Sequence, residues 1–249
     1  MSETLIAIIF FLCLTAASLG AMLLHARLPR RHRADDTHAV VRACANIFVV
    51  MTSLVLGLMV TSAKNAFEAV DKGVHAYATQ LILLDRTMQQ YGAETAPARA
   101  ALLSYVKQAA ARMAQSDPVL GSRTAEDLLK DVAGGLRALQ PADPEHAALR
   151  LRAEQRFEQV YEMRWALVEQ SEGTIPAPLI ALLAAWLVLI FASFGFRAPR
   201  NPVVVASFVV SSALIAGALY LILDMDVPFD GTIQVSPAPL ARAVAEMER

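Results

Sequence analysis

Four stretches of about twenty residues without an acidic or basic side chain constrain this chain more than anything else in it. A bilayer's hydrocarbon core is about 30 Å thick, which an α-helix crosses in about 20 apolar residues. The four runs are Leu5–His25, Ala43–Ala63, Pro178–Phe196 and Pro202–Leu223. Charges bound them sharply: Arg42 and Lys64 flank the second, Arg197 ends the third and Asp224 ends the fourth. One such run could be a buried core helix; four at full length predict four membrane-spanning helices. The composition agrees, since 56% of the residues are hydrophobic against about 45–50% in soluble domains. The first run differs from a secretory leader, whose apolar core is about 7–15 residues long and follows a basic segment. Here Met-Ser-Glu-Thr comes first and the arginines come afterwards, so the run is expected to be a retained span.

The chain between the second and third spans is predicted to be wholly helical. Phe67, Val70, Val74, Tyr77, Leu81, Leu84, Met88 and Tyr91 alternate three- and four-residue steps, the signature of a heptad seam. One helix then runs from about Asn46 to Tyr91, past the end of the span. The seam serves either as packing inside one bundle or as a contact between subunits. Pro97–Gln115 carries Leu102, Leu103, Val106 and Met113 on one side. After a break at Asp117-Pro118, Thr124–Leu139 carries Leu128, Leu129, Val132, Leu136 and Leu139. Asp143-Pro144 reads as an N-cap followed by proline at the first helical position. It starts a helix over 144–171 whose apolar side is taken as Leu151, Phe157, Tyr161, Trp165 and Val168. Pro199, Asn201 and Pro202 break the chain tightly between the last two spans, which predicts an antiparallel hairpin.

The expected fold is therefore all-α. Residues 1–63 form a transmembrane hairpin (helices about 5–25 and 43–63), 64–175 an inserted extramembrane bundle, 176–225 a second hairpin (helices about 178–196 and 202–223), and 226–249 a turn and short tail.

Several function classes are disfavoured. A net charge of −1 is no footprint for nucleic acid. The cysteines, Cys13 and Cys44, sit in or beside apolar runs and read as packing. No zinc spacing or phosphate-binding glycine loop occurs, and no buried acid or ligand pair lies mid-span, where intramembrane catalysis would need one. No enzyme, organic cofactor or nucleic-acid partner is expected. Arg27, Arg30, Arg31, Arg33 and Arg42, with Arg197 and Arg200, fall in the two short loops on one side of the membrane. The positive-inside rule puts those loops in the cytoplasm and the large insert outside.

The second span reads Val50-Met51-Thr52-Ser53-Leu54-Val55-Leu56-Gly57-Leu58-Met59-Val60-Thr61. It resembles the second membrane helix of bestrophins, the pentameric anion channels. Asp224-Met225-Asp226-Val227-Pro228-Phe229-Asp230-Gly231 is similar to their acidic–Pro-Phe-Gly stretch. Arg27-Leu28-Pro29, Leu83-Leu84-Asp85-Arg86, Gly173-Thr174-Ile175-Pro176, Ala198-Pro199-Arg200-Asn201 and Ile233-Gln234-Val235-Ser236-Pro237 extend the resemblance to the bacterial bestrophin-like domain family over nearly the whole chain.

That resemblance implies a homo-oligomeric ion channel, pentameric and anion-conducting, in a bacterial plasma membrane. It implies an apolar neck at Val50, Leu54 and Leu58, which share one helix face. The same face continues through Thr61, Asn65, Glu68, Lys72 and His75, an apolar constriction opening into a polar vestibule. Leu54 and Leu58 depart from the aromatic rings usual in bestrophin necks. The resemblance also suggests a calcium site at Asp224, Asp226 and Asp230, set against a plain reading as helix termination with a Pro-Phe turn. It implies a cytosolic insert, opposite to the arginine count. The other function class is a non-conducting membrane sensor or scaffold that uses the helical insert as an interaction surface.

Overall fold

The computed structural model describes residues 3–25, 35–113, 115, 123–170, 173, 175–196, 198–229 and 231–249. Its elements are α1 (Glu3–His25), α2 (Asp35–Tyr91), a short 3-10 turn (Ala93–Thr95), α3 (Ala96–Met113), α4 (Arg123–Ala138), α5 (Pro144–Glu169), α6 (Ala177–Gly195), α7 (Pro202–Asp226) and α8 (Ala238–Met247). No strand occurs among the described residues. Four helices are long and apolar enough to cross a membrane: Glu3–Leu24, the helix containing Ala45–Tyr91, Ala177–Gly195 and Pro202–Asp226. The protein is an all-helical membrane protein.

The chain divides into two compact units, and each is assembled from two separated stretches. The first holds residues 1–64 and 174–226; the second holds 65–173 and 227–249. In the first unit, α1 packs closely along both α6 and α7. Sequence order had suggested two hairpins of chain neighbours. The closest backbone approaches among the described residues run from α1 to the last two spans. The reason is visible at Gly195, where a Cβ would overlap the carbonyl of Ser18. Only a glycine lets α6 approach α1 that closely, and small residues at crossings are how membrane helices gain packing. Leu14, Leu183, Leu187, Phe191, Ala216 and Leu219 fill the unit's core, and α2 adds Met59 and Ala63.

In the second unit, α2 supplies Val70, Val74, Tyr77, Leu81, Leu84, Met88 and Tyr91 to one core, with Phe67 packed against it. The heptad seam is thus internal packing of this chain. α3 contributes Leu102, Tyr105 and Val106, and α4 contributes Leu129, Val132 and Leu136. Asp143 caps α5, accepting the backbone N–H of His146 at 2.8 Å. That bond, more than the nearby imidazole, holds its carboxyl below the ordinary aspartate pKa.

Two expectations are corrected here. The apolar side of α5 is not Leu151, Tyr161 and Trp165, which are exposed. The buried face runs through Ala153, Val160, Arg164 and Leu167, with Phe157 packed against the core. Residue size misled the reading, since small Ala153 fits where α5 packs and the large rings at 161 and 165 face outward. The tail is more than a turn. It forms α8, whose Leu240, Ala243 and Met247 enter the core of the second unit as α8 packs on α3. The spacing 240, 243, 247 is the helical signal that was present all along.

Candidate functional site

On α2, burial follows the helical period. Thr52, Met59 and Ala63 are buried. Val50, Leu54 and Leu58 lie on another face, at 70%, 66% and 62% exposure. These values are high for aliphatic side chains, and within one chain nothing covers them. Thr61, one turn on, is also exposed, and its hydroxyl turns back to donate to the Gly57 carbonyl at 2.9 Å. A threonine bonded in this way satisfies its own proton within the helix. Gly57, between Leu54 and Leu58, has open space where a Cβ would lie.

In the second unit, Asn65, Lys72 and His75 are exposed and Glu68 is half-buried. The Lys72 ammonium donates to Glu68 at 3.4 Å. That pair is solvent-facing and one turn apart, a geometry that stabilises a helix only slightly.

The acidic stretch behaves differently from a set of open ligands. Asp224 and Asp226 lie within α7 and are 1% and 6% exposed. Asp226 accepts the backbone N–H of Ile175 at 3.0 Å, tying the entry of α6 to the end of α7. Asp230 lies outside the described residues. No group of three His, Cys, Asp or Glu suited to a metal occurs among the described residues. In the second unit, Pro228 is buried and Phe229 packs against the core. Val235 donates its N–H to the Pro228 carbonyl, closing the turn. Arg27, Arg30, Arg31, Arg33 and Arg197 lie outside the described residues, as does the side chain of Arg42.

Sequence reasoning passed over a polar cluster in the helical unit. The Tyr77 and Tyr105 hydroxyls meet at 2.6 Å in the core. Arg164 is 1% exposed and hydrogen-bonds to the Tyr105 side chain. No spacing rule marks it: Arg164 lies between Met163 and Trp165, and an arginine carries no hydrophobic signal of burial.

Long apolar helices, mostly uncovered within one chain, define the class: a multi-span all-α membrane protein. The family model for the Bestrophin-like domain matches residues 12–240. The chain belongs to the bestrophin-like family. No curated protein and no solved structure matches it.

Proposed function

We propose that this chain is a subunit of an oligomeric bestrophin-like ion channel, with the exposed face of α2 forming the neck. The observation that carries this reading is that Val50, Leu54 and Leu58, at 62–70% exposure, are the most exposed aliphatic residues in the Val50–Thr61 stretch, on a span that this chain alone covers little. Lipid covers such a face, or copies of the same helix cover it around an axis. Family membership favours the second. Around an axis, three turns of aliphatic side chain make a constriction that gates by dewetting. Beyond it, by helical register, Thr61, Asn65, Glu68 and Lys72 supply a wet vestibule. The pentameric count, the preference for anions and the bacterial plasma membrane come from the family resemblance and belong to the same proposal, as does the placement of the helical unit outside the bilayer.

The test is planar-bilayer recording of the purified chain. Wild-type protein is expected to give selective currents, and Leu54→Ala or Leu58→Ala to raise the single-channel conductance by widening and wetting the neck. Silence across voltage, pH and calcium would remove the channel reading and leave a non-conducting sensor or scaffold.

A further inference from the structure

The connection Ala198–Asn201 builds something that the pore reading leaves unused. Where α1 ends and α7 begins, a groove of about 590 Å³ opens on the surface of the membrane unit. Met22 on α1 and Val205, Val209 and Val210 on α7 form its apolar walls, and Arg200 and Asn201 stand at its end. The valines lie one to two turns inside α7, so the groove runs roughly 5–12 Å along this apolar helix from its first residue at about 1.5 Å per residue. It is open to its surroundings, since Val210 is 57% exposed and Val203, just outside it, 73%.

The polar end is built for negative charge. Asn201 caps α7, its Oδ1 accepting the Val204 N–H at 2.8 Å. The guanidinium of Arg200 touches the last carbonyls of α1, Met22 and Leu23, through Nη2 at 3.5 Å. Those are long contacts from one nitrogen of three, and they hold the head beside the start of α7. The start of α7 carries partial positive charge and the end of α1 partial negative charge, so the attraction for an anion comes from the arginine itself. An occupant must therefore combine an acyl-like body at membrane depth with a negative head at the membrane boundary. A guanidinium pairs with phosphate through a fork of parallel hydrogen bonds, and basic pockets between membrane helices suit anionic headgroups.

We propose that this groove holds one anionic phospholipid, its phosphate on Arg200 and an acyl chain along Met22, Val205 and Val209. The binding is independent of whether α2 conducts ions.

Native mass spectrometry of the full-length protein, titrated with phosphatidylglycerol or phosphatidylcholine, tests this. Phosphatidylglycerol should bind about tenfold more tightly, the equivalent of one charge-assisted contact. Arg200→Gln should erase that preference while keeping weak binding of both lipids. Val209→Trp, which fills the groove, should reduce binding of both. Inorganic phosphate should not displace the lipid, because the acyl chain contributes. Each variant is first checked for wild-type elution and melting in neutral detergent; if Val209→Trp fails there, Met22→Phe replaces it. Equal binding of the two lipids by wild type overturns the proposal, as does a preference that survives Arg200→Gln. So does a groove-filling variant that still binds normally, or a change of oligomer size on filling it, which would assign the groove to a second copy.

Discussion

Arg164 is the residue whose placement says most about the helical unit. A charge buried in a protein interior is costly unless paired, yet Arg164 is 1% exposed, and its Nε and Nη1 have no hydrogen-bond partner among the described residues. Its neighbours are phenols. Burial pushes the Tyr105 hydroxyl above the usual tyrosine pKa, partly offset by its bond with Tyr77 and by the charge of Arg164. The hydroxyl pair is satisfied, whereas the guanidinium has one phenol bond and the Trp165 ring 5.3 Å away to offset its burial. Tyr105→Phe should cost about 1–3 kcal/mol, because it leaves the Tyr77 hydroxyl buried and unpaired. Arg164→Met should cost less than that, and denaturant unfolding of the two variants side by side checks the order. A larger loss for Arg164→Met would show that the cation is stabilising. None of this was legible beforehand: hydrophobicity assigns an arginine to the surface, and only the packing of α5 by Ala153 and Val160 turns position 164 inward.

Among the elements, α2 was the most legible and α5 and α8 the least. Eight apolar residues in strict heptad steps leave one way to place a helix, and its observed core face follows them from Val70 to Tyr91. α5 has no such stripe, and α8 is short, with its partner α3 far away in sequence. The crossing of α1 and α6 was likewise unreadable, because one glycine among many apolar residues gives no sign of what it touches. It can be tested directly. Gly195→Ala pushes a methyl into the Ser18 backbone and should destabilise the membrane unit by about 1–3 kcal/mol, the usual cost of overpacking. Gly217→Ala, where the space is open, should be close to neutral. Thermal melting in detergent compares the two, and equal effects would count against a tight crossing.

For the molecule as a whole, an all-helical chain with four helices long and apolar enough to cross a membrane could be read from charge-free runs alone, whereas the exposure of particular side chains could not. Exposure of Val50, Leu54 and Leu58 depends on what α2 packs against, and no run of letters states that. Two arguments oppose each other on sidedness: the loop arginines favour an external helical unit, and the family resemblance a cytosolic one. With Cys13 and Cys44 replaced by serine, Gln140→Cys, an exposed position, should react with a membrane-impermeant thiol reagent on intact cells. Labelling only after lysis would put the unit in the cytosol. The division of the chain has a consequence for how the protein is made. Residues 227–249 complete a core begun at residue 65, and α6 and α7 lie between the two stretches. During synthesis the N-terminal parts of a chain emerge first, so α3 waits with its α8 face uncovered until both later spans have been delivered to the bilayer. The second unit's core is thereby closed only by the last residues to be made, and no contiguous fragment reproduces either unit by itself.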